Sequence, residues 1–278
     1  MAGEMHYMSS INLPLISTIT PCFKMKRFLP NFLSNLPKQK SFDRIQVILD
    51  HNEPDEEEIF WVRSFNKKFP GKIKHIIKEK VEPIGKSMND CIENADGEYL
   101  TIWNIDDERT QDSIEQQVRI LDNNSECDIV HGSFIITPKF GSYFGQLVES
   151  NNYERTEYLR SMLLGPFFAF RKNLILKSGY FDEQLRSGAD FDFAIRAAKH
   201  SREICYTKFP LGYYLNEMQG LSTRGDGLQE TERTVIELRY GIYDKVDQRF
   251  VEKANQYDVS NIHYKLNKLP AISYMSQT

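Results

Sequence analysis

Two groups of carboxylates in this chain have the type and spacing to do chemistry: Asp106-Asp107, and Asp190 with Asp192. Adjacent carboxylates held at a rigid strand end suit a hard divalent cation, because magnesium and manganese favour oxygen ligands. A cation held there acts as a Lewis acid and clamps the charge that grows on a departing diphosphate. The bland reading of the pair is an acidic cluster before a helix at Asp112. In Gly188-Ala189-Asp190-Phe191-Asp192, a helix start would use one carboxylate as its cap. The other is then free to act as a base toward a hydroxyl. Arg196 lies four residues after Asp192, so an i,i+4 ion pair is a further plain role.

Such groups need a scaffold. Short apolar runs at residues 15–20, 45–49, 73–77 and 99–103 read as strands, with Pro21 ending the first. Between them lie helical patterns: Phe28, Phe32 and Leu36; then Trp61, Phe65 and Phe69 after Pro54; then Met88, Ile92 and Ala95. The run Asp55-Glu56-Glu57-Glu58 sits at a helix start, where acidic groups favour the dipole. Asp112 and Glu115 suit a capping box ahead of Ile114, Val118 and Leu121. Residues 128–137 return to strand, 138–160 read as a loop or lid, and helices are expected at 171–178, 191–200 and 229–250. Strands alternating with helices of this length indicate an α/β fold with a parallel sheet.

Open α/β sheets bind ligands beyond the carboxyl ends of their strands. The residues in that place are Thr20-Pro21, then Asp50-His51-Asn52, then Gly85-Lys86, then the stretch from Asn104 to Glu108. They would gather along one edge.

The 278 residues are 40% hydrophobic, enough for a real core. The 39 acidic and 35 basic side chains nearly cancel, which excludes the basic footprint of a nucleic-acid partner. Cys22, Cys91, Cys127 and Cys205 are far apart in sequence, so reduced thiols in a cytosolic protein are expected. No apolar run is long enough to span a bilayer, and the first residues lack the pattern of a signal peptide.

Five stretches occur in order: ISTITPCF, VILDHNEPDE, GKSMNDCIENADGEYLTIWNIDDE, GPFFAFRKNLILKSGYFDE and SGADFDFAIRAA. Together they resemble glycosyltransferase family 2, of the inverting GT-A fold, over residues 15–223. The resemblance implies a GT-A domain at 13–223, followed by a C-terminal helical extension at 224–278. It implies donor contacts from Thr20, Pro21, Asp50, Gly85, Asn89, Asn104 and Asp106. It implies a manganese or magnesium ion on Asp106 and Asp107, and Asp190 as the general base. The partners implied are a nucleotide-sugar, UDP-linked in expectation, and a glycan or lipid-linked acceptor. The setting expected is polysaccharide or glycan synthesis in the cytoplasm or at the inner face of a membrane.

The chain departs from the family pattern in several places. Asn104 replaces an aspartate of the Asp-x-Asp region, and Ala189 replaces an acidic residue before the base. No third metal ligand is evident, with His131 and His263 as the candidates. Arg171 and Lys172 are read either as phosphate partners or as a solvated helix face, and residues 140–144 either as a cover for donor or acceptor or as packing. The tail helix is expected to pack on the core, to form a homodimer or to dock a partner. A non-catalytic sugar-nucleotide or glycan-binding module is the alternative function. A nucleotidyltransferase ranks lower, because Pro21-Cys22-Phe23 stands where a glycine-rich basic loop is needed.

Overall fold

A computed structural model describes residues 15–217 and 225–275. The expected boundaries at 13 and at 223/224 fall outside these residues. In chain order the structure runs β1 (Ile16–Phe23), α1 (Leu29–Asn35), β2 (Ile45–Asn52), α2 (Glu56–Lys68), β3 (Ile73–Lys78), α3 (Ile84–Asn94), β4 (Tyr99–Ile102), β5 (Glu108–Arg109) and α4 (Ser113–Asn123). It continues with β6 (Cys127–Gly132), β7 (Phe134–Thr137), β8 (Gln146–Val148), α5 (Arg155–Tyr158), β9 (Ala169–Arg171), α6 (Ile175–Ser178) and α7 (Ala189–His200). Last come β10 (Glu203–Thr207), β11 (Gly212–Leu215), α8 (Leu228–Arg239), α9 (Val251–Ala254), β12 (Asn261–Tyr264) and β13 (Asn267–Pro270).

The main sheet has the order β10-β6-β9-β4-β1-β2-β3. All neighbours are parallel except β9, which is antiparallel to β4 and β6. Side chains alternate between its two faces, as the strand period requires. Ile19, Ile48, Leu100 and Ile102 enter one core with α3 and α7. Ile16, Val47, Leu49 and Tyr99 enter the other with α1 and α4. Each such aliphatic chain contributes roughly 1.5–3 kcal/mol by leaving water. A smaller sheet, β5-β11-β7-β8, stands beside the main one.

Several local expectations are corrected. Pro21 does not end β1, which runs on to Phe23 beside β2. Trp103 N–H donates to the Ile19 carbonyl, and β4 pairs with β1 no further than Ile19. Strand alternation turns the Pro21 nitrogen to that same side, where no ladder bond is needed. The strand expected at 128–137 divides at Ser133 into β6 and β7, which lie in different sheets. The region 138–160 carries β8 and α5. The helix expected from 171 begins at Lys172 as a 3₁₀ turn, because Arg171 ends β9.

Asp55 and Glu58 form a capping box at the start of α2, as an acidic helix start should. Asp112 forms none, because its carboxylate pairs with Lys40 at 2.6 Å. The cysteines are not four separate thiols. Strand pairing of β10 on β6 brings Cys127 and Cys205 together, and they are joined as a disulfide.

The last helical pattern stops at Arg239, before Gly241 at φ 70°. Beyond it lie 3₁₀ turns, α9 and the β12-β13 hairpin, so the extension is only partly helical. Val235 and Ile236 of α8 are buried by the rest of the chain, as expected for packing on the core. Among the described residues no helix is long and apolar enough to cross a membrane.

Candidate active site

The register of β1 on β2 sets Pro21 beside Asp50, and Trp103 after β4 bonds to Ile19. Three adjacent strands, β4, β1 and β2, therefore bring Asn104, Asp106, Thr20, Pro21 and Asp50 to one carboxyl edge. Three of the four clusters expected at the strand ends are gathered in this way, and the fourth, Gly85-Lys86, lies in the first turn of α3.

Asp50 is fully buried and accepts from Asn52 Nδ2 at 2.9 Å. Asn52 is itself held by Ser87 Oγ and the Glu82 N–H. Burial raises the Asp50 pKa to about 6, against the pull of the Ser87 hydroxyl and the Lys78 ammonium. One oxygen, Oδ2, has no hydrogen-bond partner, with Lys78 Nζ 3.8 Å away. Asp50, Glu82 and Asp90 lie close enough to share a cation. Lys78 and Lys86 already pair with this group, which makes it an ion-pair network.

The segment after β4 is fastened from below. Arg109 is buried and donates to Ser113, Gln117 and Thr101 and to the Ile102 and Phe167 carbonyls. Three carboxylates follow β4, and two of them are engaged. Asp107 accepts from Leu215 N–H at 3.0 Å and Asn104 Nδ2 at 3.1 Å. Glu108 accepts from Asn31, Asn35 and the Tyr143 hydroxyl. Asp106 is half-buried, and no side chain among the described residues bonds its carboxylate. Burial, together with the nearby charge of Glu217, raises the Asp106 pKa. Burial and the Asp106 charge raise that of Asp107 well above the usual carboxylate range. An oxygen donor that is poorly solvated and unpaired fits a hard cation.

Asp190 stands in the first turn of α7, where Phe191 N–H donates to its Oδ1 at 2.8 Å. Burial raises its pKa to about 6, the Phe191 bond opposes, and the charge of Glu232 adds. Asp192, the rival base, is consumed by structure. It pairs with Arg196 at 2.7 Å and Arg239 at 2.6 Å, and accepts from the Tyr240 hydroxyl. Although burial opposes, these guanidinium groups hold its pKa down to about 2.

Other expected residues have observed work inside the protein. A Cβ on Gly85 would meet the Asp182 carbonyl oxygen at 2.2 Å, so only glycine allows α3 this close. Asn89 is buried and bonds both backbone groups of Phe181. Thr20 is buried, with its hydroxyl on Thr18. Both ring nitrogens of His131 are engaged, by Tyr158 and Ser150, and burial lowers its pKa to about 4. His263 Nε2 meets Asp258.

Arg171 lies opposite Tyr99, at the start of β4 and away from the carboxyl edge. Its guanidinium donates to the carbonyls of Leu121, Asn124 and Cys127, and Lys172 bonds the Ala95 carbonyl. Both side chains are thus engaged by backbone carbonyls, with Arg171 away from the carboxyl edge. In the 140–144 stretch Phe140 packs on Phe28, whereas Phe144 is 87% exposed. Sequence reasoning missed Arg109, Leu215, Glu232 and Arg239, because each meets its partner through folding.

Comparison with protein families matches residues 17–183 to "Glycosyl transferase family 2". An uncharacterised glycosyltransferase of Methanocaldococcus jannaschii is 27% identical over 206 residues, 70% of this chain and 67% of the relative. The crystal structure of Staphylococcus aureus TarS with UDP-GlcNAc is similar with a TM-score of 0.68 and 17% identity. That likeness covers 86% of this chain and 69% of the TarS 1–349 chain in that structure. A mannosyltransferase of Pyrobaculum calidifontis, solved with GDP-Man and Mn2+, has a TM-score of 0.60 and 14% identity, covering 88% of this chain and 68% of that one. These structures share the GT-A arrangement of a largely parallel sheet between helices.

Proposed function

The chain belongs to glycosyl transferase family 2 and is a glycosyltransferase, and from that premise we propose an inverting transfer of a sugar from a nucleotide-sugar, UDP-linked, to an acceptor hydroxyl. The supporting observation is the shared carboxyl edge of β4, β1 and β2, which carries Asp50 and an Asp106 without a side-chain partner.

Asp50 receives the base of the nucleotide through its unpartnered buried oxygen. Asn104 contacts the ribose, as its amide allows. Asp106 is the principal residue to hold manganese or magnesium, with Asp107 secondary because both its oxygens already accept bonds. When bound, the ion supplies charge neutralisation for the diphosphate. Asp190 takes the proton of the acceptor hydroxyl as that oxygen attacks the anomeric carbon. Attack opposite the leaving group inverts the configuration. Such a base contributes about 10²–10⁴-fold in rate. Asp190 lies beyond the matched residues 17–183, so its role rests on its place in α7 and its raised pKa.

A glycan or lipid-linked acceptor fits the exposed rings of Tyr143 and Phe144 beside the smaller sheet, where a sugar face can stack. The division at 223/224 and a place in polysaccharide synthesis, in the cytoplasm or beneath a membrane, belong to the same proposal.

Calorimetric titration with UDP and GDP, each with and without manganese, tests the donor site. Manganese-dependent UDP binding, lost in Asp106→Ala and weakened in Asp50→Ala, supports it. GDP binding in its place overturns the UDP assignment. Binding of neither nucleotide to folded protein overturns the site.

A further inference from the structure

We infer that Glu232 of α8, outside the matched part of the chain, is the positioning residue for Asp190: its carboxylate fastens the turn that opens α7 and sets a negative charge beside the base. The inference rests on the reading of Asp190 as the base.

Three consecutive backbone N–H groups converge on this one carboxylate. Oε2 accepts from Ser187 at 2.7 Å, Gly188 at 2.8 Å and Arg186 at 3.0 Å. Oε1 accepts from Arg186 at 2.8 Å and from the Tyr257 hydroxyl at 3.2 Å. Glu232 is fully buried. Of these donors the Gly188 N–H stands at the helix start, where such groups lack intrahelical partners and the dipole favours an anion, and Arg186 and Ser187 lead into it. Gly188 is the residue before α7 and has no side chain to cap it. A Cβ on Gly188 would lie 3.3 Å from the Glu232 Cβ and 3.0 Å from Ile236, so the close approach of α8 favours glycine. The anion at this helix start therefore comes from 44 residues further along the chain.

Asp190 follows two residues after Gly188, and fixing that turn fixes the direction of its carboxyl. Among the described residues, the groups acting on Asp190 come from two helices. From α8 comes the Glu232 charge, and from its own helix the Phe191 N–H. Asp192 on that helix is neutralised by Arg196 and Arg239. Ala189 provides no charge where the family resemblance leads one to expect an acid, and α8 brings a carboxylate to the same turn.

The test is a carboxyl-detected NMR titration of full-length protein labelled with ¹³C-aspartate, which needs neither donor nor acceptor. The Asp190 signal is identified by its loss in Asp190→Asn. The expected wild-type midpoint is about 6. Glu232→Gln removes the charge but keeps the shape, and the midpoint falls by roughly one unit. Amide exchange at residues 186–188 quickens in the same variant. An unchanged midpoint in folded Glu232→Gln overturns the inference. Where that variant does not fold, Glu232→Asp draws the charge back by one methylene, and a wild-type midpoint there overturns it equally. Failure of the base reading shows separately, as full donor turnover by Asp190→Asn.

Discussion

The backbone N–H of Leu215 donates to Asp107 Oδ1 at 3.0 Å, which ties the segment after β4 to the edge of β11. Asp107 is thereby a structural partner, while its neighbour Asp106 remains available. The two aspartates should respond differently to substitution. Asp106→Ala is expected to lower kcat by about 10²–10³-fold, the usual scale for losing charge stabilisation of a leaving group, with unchanged stability. Asp107→Ala leaves the Leu215 N–H without its acceptor and should cost about 1–3 kcal/mol. Urea denaturation and turnover measured on both variants decide this. Equal stability losses would sink the distinction.

The pH profile follows from Asp190. A general base works only when ionised, and burial holds the Asp190 proton on up to about pH 6. The logarithm of kcat/KM should therefore rise with unit slope below that pH and level off above it. A profile flat from pH 5 to 8 would remove Asp190 from the role.

Arg239 joins two buried carboxylates, Asp182 at 2.9 Å and Asp192 at 2.6 Å. Arg239→Met should destabilise the protein by about 3–5 kcal/mol, because it leaves buried charge uncompensated. Asp192 sets the pH window. Its folded pKa, about 2, lies below the ordinary 3.8, so its contribution is present above 3.8 and is lost as pH falls toward 2. Denaturation of wild type and variant at neutral pH and near pH 2 measures both effects. A variant as stable as wild type at neutral pH would contradict the ion cluster's role.

Arg171 supplies a control for donor binding. Its three carbonyl bonds hold the end of α4 against the start of β6. Arg171→Ala should lower the melting temperature and leave the donor KM unchanged. A raised KM at constant stability would mean that Arg171 reaches the donor after all.

Much of the frame was legible because its signals are local. Apolar runs and four-residue steps are written in neighbouring residues, and they located β1 to β4, α2, α3 and α7. The polar residues near the carboxyl ends of β1 and β2 and just after β4 could be placed on one edge because parallel strands end together. Less was legible where a residue's direction depends on a distant partner. β9 is three residues long, and its antiparallel insertion between β4 and β6 leaves no periodic mark. The division of 128–137 between two sheets has the same origin.

The sequence by itself determined the alternating α/β order, the strand-end carboxylates and the family. Tertiary structure alone decided which carboxylates remain available for chemistry. Asp107 and Asp106 are adjacent in sequence, yet Leu215, 108 residues on, engages only the first. Asp192 and Asp190 share a helix, yet Arg239 neutralises one while Glu232 stands beside the other. Burial makes each partner decisive, since a charge removed from water takes its protonation and its role from the few groups that touch it.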